Sequence, residues 1–390
     1  MVRFGTVCTL LAVLGAFGCK RPAATDPESD EAAERRRAVL NDLATMVVVP
    51  AYEDFAANAR TLRVAVDAWA ASADLADRTA AQAAWHEAML SWEVAELFQF
   101  GPAAAMGVSA GGQDLRDQIY SWPTVNPCRV DQEIVEQAYE DAEAFRSEAV
   151  NVRGLDALEY LLHHDETENQ CDATRSINAD GSWAALNEAD LDGRRARYAK
   201  TLTGLLVSDA DALVAAWDDG FTAELGTAGA RSETYPTTQE ALNAVSDAMF
   251  YVDTDLKDMK LAEPAGILNC ATATCPDARE FLWVEANFAA MGANLDAFGR
   301  LFRGRSGLGF DDLLVDAGQD QLATDIGNRL DEASSAVASM PTSLTKALAD
   351  DPRQVVAIHV EVKELIDLLK TQFVGVLDLE LPDRADGDND

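Results

Sequence analysis

Asp156, Glu159 and His163 stand at i, i+3 and i+7 in the segment Gly154-Leu155-Asp156-Ala157-Leu158-Glu159-Tyr160-Leu161-Leu162-His163-His164. On a helix advancing about 100° per residue, this spacing collects two carboxylates and an imidazole on one face, with Leu155, Leu158, Leu161 and Leu162 on the other. Hard cations take oxygen ligands, and iron accepts oxygen and nitrogen together. The three residues are therefore expected metal ligands. The competing account is a solvated polar stripe, since an acidic helix face on an acidic chain needs no metal.

The elements around this motif read as helices almost throughout. Residues 39–71 carry apolar side chains at three- and four-residue spacing, with a break expected at Pro50. A second helix over residues 78–98 places Trp85 and Trp92 seven apart on one face, where core packing is the natural role. Residues 103–130, with Gly107, Gly111, Gly112, Pro123 and Pro127, form an irregular connection long enough to suggest function. Further helices are expected over residues 132–150, 154–163 and 194–217, and after a Gly/Thr-rich gap over 238–260, 277–302, 318–340 and 351–373. Strand signals are negligible. The expected fold is all-α, two antiparallel helical-bundle halves over residues 38–219 and 237–380. An acidic tail, 381–390, follows, with Asp383, Asp386, Asp388 and Asp390 as weak cation binders.

The chain has 390 residues and a formal net charge of -36. That charge excludes nucleic acid as an expected partner, because phosphate binding needs a basic surface. Near the N-terminus, Arg3 and an apolar run over residues 7–17 read as an export signal ending at Gly18, too short to span a bilayer. The junction is similar to a bacterial lipobox, with Cys19 the expected site of lipidation and the membrane contact limited to that anchor. Residues 19–37 read as a flexible tether. Export agrees with cysteine usage: Cys128, Cys171, Cys270 and Cys275 remain, an even number for an oxidising compartment. Of three possible pairings, Cys128 with Cys171 and Cys270 with Cys275 is favoured, the latter closing a short loop. The Cys-x4-Cys spacing lacks the second ligand pair of a zinc site.

Separated segments, in order, resemble the imelysin-like family of bacterial exported proteins. They include Ala84-Trp85, then Glu96-Leu97-Phe98-Gln99-Phe100-Gly101-Pro102, then Ser121-Trp122-Pro123. The family signature Gly-x-His-x-x-Glu followed by Tyr-Leu-Leu is matched at Gly154, Glu159, Tyr160, Leu161 and Leu162. Later blocks match at Lys260-Leu261 with Pro264, Asn294-Leu295, Leu301-Phe302 with Gly304, residues 309–314, and Asp386-Gly387-Asp388. Asp156 stands where the family has His, Met89 and Gln99 where Arg is usual, and residues 281–284 replace a Ser-Pro-Phe-Ser-like segment.

The resemblance implies either peptidase activity or a part in bacterial iron acquisition. Asp in place of His substitutes a hard oxygen for a borderline nitrogen, which favours iron(III), calcium or manganese over zinc. The chain has 4 His in all and no His-Glu-x-x-His, whereas zinc hydrolases commonly use two His among three protein ligands. No nucleophile elbow, P-loop or catalytic thiol pattern is present. The expectation is thus an envelope protein that binds iron or another hard cation, or a small metal-carrying ligand, alongside envelope uptake partners. Asp156, Glu159 and His163 would ligate, Glu96 would complete the shell, and Trp122 would wall the cleft. The alternatives are an imelysin-type metallopeptidase and a metal-free scaffold for a surface partner, haem or a peptide.

Overall fold

Pro50 leaves the first long helical run unbroken. The computed structural model describes residues 30–382 and Ala385. In it, α1 (Asp30–Asp42) passes through a π-helical stretch, Leu43–Val48, into α2 (Val49–Ser72), where Pro50 occupies the first turn. Pro50 has no N–H to pair back into the preceding turn, and the wider π turn directly before it accommodates the missing bond without ending the helix. Helix α1 begins at Asp30, inside the segment expected to be a tether, with Arg35 bonded to Asp316 and Arg36 to Gln239. The expected export signal, Cys19 and the acidic residues Asp383, Asp386, Asp388 and Asp390 lie outside the described residues.

Ala73, left-handed at φ 56°, turns the chain into α3 (Leu75–Glu96), which packs along α2. Trp85 and Trp92 are both fully buried on α3, as their spacing predicts. The irregular connection contains only the short α4 (Leu115–Ile119) before α5 (Pro127–Glu136). The helix expected over 132–150 is instead cut at Gln137, which is left-handed at φ 59°, into α5 and short turns. Then come α6 (Gly154–His163), carrying the opening motif, and α7 (Glu188–Ala216), which packs on α2 and α6.

The second half holds α8 (Thr238–Met249), a π-helical segment Val252–Ala262, α9 (Asn287–Arg303), α10 (Asp320–Ala338) and α11 (Arg353–Leu368). Helix α9 packs against both α10 and α3, so one apolar core runs through both halves. The fold is all-α. No β-strand occurs among the described residues, and no described helix is long and apolar enough to cross a membrane. Both expected disulfides are formed, Cys128–Cys171 and Cys270–Cys275.

One difference bears on function. Residues 277–286 were expected to begin α9 but form an irregular strap whose shape has a local cause. Arg279 donates to the carbonyls of Pro276, Phe281 and Leu282 at 2.7, 3.0 and 3.1 Å, and Asn287 brackets Phe281 by accepting from its N–H and donating to its C=O. These contacts spend side-chain donors on backbone groups that a helix would have paired internally.

Candidate metal centre

Helix α6 is buried on every side. Gly154 through Leu162 are all inaccessible, so its carboxylates are not a solvated stripe. Gly154 is at φ +80°, and a Cβ there would lie 2.6 Å from the Ile119 carbonyl oxygen, which lets the segment around α4 press directly on the start of α6. At the other end, Arg78 and Gln82 of α3 donate to the Leu162 carbonyl at 3.0 and 2.8 Å, satisfying groups a helix terminus leaves open. Trp85 donates to the Leu155 carbonyl at 2.8 Å.

Asp156 Oδ2 accepts the Ser121 hydroxyl at 2.6 Å, and Oδ1 accepts the Ala157 N–H at 2.9 Å. Burial pushes its carboxyl up to about 6 against those two hydrogen bonds. Glu159 Oε1 accepts the Trp283 N–H of the strap at 3.0 Å. Burial drives Glu159 up to about 8, the Trp283 N–H opposes this, and the charge of Asp156 adds to it.

His163 does not join them. Its ring meets Trp85 at 5.2 Å, and burial, with the Arg78 charge next, lowers its pKa to about 4. The assignment of His163 as a ligand beside Asp156 and Glu159 is corrected accordingly: the last residue of the ten-residue helix meets Trp85 of α3, and the three side chains do not converge as a ligand group among the described residues. His164 stacks on Tyr160 and faces the Glu168 carbonyl.

The carboxylates that do converge are Glu93 and Glu96 of α3 and Glu280 of the strap, with one oxygen of each within 4.8 Å of the others. All three are buried. Lys260, from the π-helical segment, reaches Glu93 Oε2 at 2.6 Å, Glu280 Oε1 at 2.9 Å and Asn294 Oδ1 at 3.0 Å. Tyr120 donates to Glu280 at 2.9 Å and Tyr251 to Glu96 at 3.1 Å. Arg116 holds Glu96 Oε1 through Nε at 3.1 Å and Nη2 at 2.5 Å. Trp122 lies beside the group, its ring 5.7 Å from the Lys260 ammonium.

Two oxygens are left over. Glu93 Oε1 and Glu280 Oε2 are buried without a hydrogen-bond partner. Burial raises both carboxyls, Glu280 well above its ordinary range, and Lys260 opposes this in each. The two carboxylate sets adjoin: Ser121 binds Asp156 while Trp122 lies by Lys260, and the strap sends Glu280 to one and the Trp283 N–H to the other. Together Glu93, Glu96, Asp156, Glu159 and Glu280 set five buried carboxylates against the two cations Lys260 and Arg116. An interior with three surplus negative charges must bind protons or a cation. The donors are all oxygen, several of them anionic, which fits a hard cation and not the imidazole-rich set of a zinc hydrolase.

Spacing on α6 did not reveal Glu93, Glu280 or Lys260. Glu93 was discoverable, because it repeats at i, i+3 with Glu96 inside the apolar run from Trp92 to Phe98. Glu280 carried no signal, since its role depends on the strap replacing the first turns of α9.

The family model described as Imelysin matches residues 48–372. Among solved structures, the chain is similar to an imelysin-like protein from Psychrobacter arcticum 273-4, with TM-score 0.68 and 18% identity over 90% of this chain and 98% of that one. It is also similar to a putative iron-regulated protein A precursor from Parabacteroides distasonis ATCC 8503, with TM-score 0.64 and 17% identity over 87% and 95%. No curated protein matches the chain.

Proposed function

The chain belongs to the imelysin family, and from that premise we propose that it is an exported, Cys19-anchored envelope protein that holds a hard metal cation in bacterial iron or metal acquisition. Glu93, Glu96 and Glu280 are the ligands in this reading, with Asp156 and Glu159 in the adjoining layer. The carrying observation is the pair of unpartnered oxygens, Glu93 Oε1 and Glu280 Oε2, within a group whose charges leave a deficit of cation. An oxygen-preferring ion supplies both missing partners and missing charge. The similar Parabacteroides protein is named for iron regulation, which agrees with iron as the cargo, and its description as a precursor agrees with export.

Hydrolysis is less well supported. A metallopeptidase needs a metal-bound water beside a general base, whereas here the Lys260 ammonium occupies the space between Glu93 and Glu280. That same ammonium favours a second reading, a metal-free scaffold in which Lys260 is the permanent counter-ion. Elemental analysis of protein purified without chelator or metal-affinity tag separates the two. Cation binding predicts about one iron or manganese per chain, lost in a folded Glu280→Gln variant; metal-free protein that stays empty after incubation with either ion supports the scaffold.

A further inference from the structure

Arg116 stands between the buried carboxylates and solvent. Its side chain is 17% exposed, whereas that of Glu96, which it grips, is 0% exposed. On the outer side its Nη1 meets Asp117 Oδ1 at 3.0 Å, and Asp117 is 54% exposed. A pocket of about 400 Å³ is lined by Arg116 together with Gln99, Ser109, Asp114, Asp117 and Asp247. Arg116 therefore belongs both to the wall of that pocket and to the carboxylate network.

Three aspartates stand in the pocket wall beside the apolar Ala103, Ala104, Ala105, Val108 and Pro382. Asp114, Asp117 and Asp247 would attract a hydrated cation and repel a chelate carrying surplus carboxylates. The element bearing Arg116 is slight: α4 has five residues and follows Asp114, left-handed at φ +57°, and a loop containing Gly107, Gly111 and Gly112. Moving the guanidinium off Glu96 breaks its two bonds to Oε1 and its 3.3 Å bond to the Trp122 carbonyl, while the bond to Asp117 can be kept.

Resting on the cation reading of the Glu93, Glu96 and Glu280 group, we propose that this pocket is the entry vestibule for an uncomplexed, hydrated cation and that Arg116 is its displaceable plug. The guanidinium releases Glu96 and stays with Asp117 and Asp114 at the mouth, while the cation takes its place on Glu96. No covalent bond changes. One positive charge leaves the carboxylates, and an ion of higher charge replaces it, which reduces the surplus negative charge inside.

Stopped-flow luminescence with terbium(III), a hard trivalent probe sensitised by nearby Tyr251, Tyr120 and Trp122, tests this on the full chain. Arg116→Gln should speed association by about tenfold or more, because no plug must leave. Asp117→Asn should slow it several-fold, and at high salt as well, because the outer resting place is lost and not merely an attracting charge. Terbium(III) citrate should associate more slowly than the uncomplexed ion. Wild-type rates in both variants, with saturable wild-type binding, overturn the plug; a citrate complex entering as fast as the free ion overturns the vestibule. Absence of any saturable signal in wild type defeats the underlying cation reading instead. Asp117 is exposed, so its variant remains informative if Arg116→Gln folds poorly.

Discussion

The Lys260 ammonium lies 2.6 Å from Glu93 Oε2 in an interior where neither side chain is exposed. Burial alone would lower the lysine pKa, but Glu280, Glu93 and Glu96 outweigh it and hold the ammonium charged. Buried pairs of this kind contribute little net stability, yet removing one partner is costly because the other charge is stranded. Lys260→Met should therefore destabilise the cation-free protein by about 3–5 kcal/mol. Added manganese should restore most of that loss in thermal melts if a cation can take the place of the ammonium.

Stability should also depend on pH in a direction that ordinary carboxylates do not give. Glu159 is raised from 4.5 to about 8 and Asp156 from 3.8 to about 6, burial being the main cause of both. A raised carboxyl binds its proton more tightly in the folded state than in the unfolded one. Its stabilising contribution is complete below the unfolded pKa and is lost as pH climbs through the folded value. Without cation, the melting temperature should fall between about pH 5 and pH 8, and Glu159→Gln should flatten that decline. An equal slope in the variant would remove Glu159 as its source.

Gly154 sets the approach of two segments. At φ +80° any side chain is strained, and a Cβ would also meet the Ile119 carbonyl at 2.6 Å and Asp156 Oδ1 at 3.2 Å. Gly154→Ala should cost about 2–4 kcal/mol, from backbone strain of 1–3 kcal/mol plus the clash. It should also weaken cation binding, since Ser121 and Trp122 follow directly on the displaced segment. Urea titration and a binding isotherm on the same sample check both effects.

The two disulfides should differ in worth. Cys128–Cys171 closes 43 residues and Cys270–Cys275 closes 5. Chain entropy gives about 4 kcal/mol for the longer loop and about 2 kcal/mol for the shorter. Double Cys→Ser variants compared by urea unfolding should reproduce that order.

The helical architecture was legible because apolar spacing, the buried Trp85 and Trp92 pair, and the cysteine pairing are all written locally. Residues 132–150 misled because Gln137 adopts a left-handed conformation that its type does not announce. Of the expected site residues, Glu96, Trp122, Asp156 and Glu159 came from the motif and the family resemblance, and all four are buried. His163 was misplaced because helix geometry fixes direction but not the neighbour it meets. Glu280 and Lys260 were missed because a strap and a π-helical segment, both set by tertiary contacts, deliver them to Glu93.

Calorimetric titration of the full chain with manganese(II), alongside Glu280→Gln and Glu96→Gln, tests the central claim most directly. The account predicts a single saturable site in the wild-type chain, weakened by about tenfold or more in each variant while helical circular dichroism is kept. Equal binding in wild type and both variants, or no saturable binding in any of them, would contradict it.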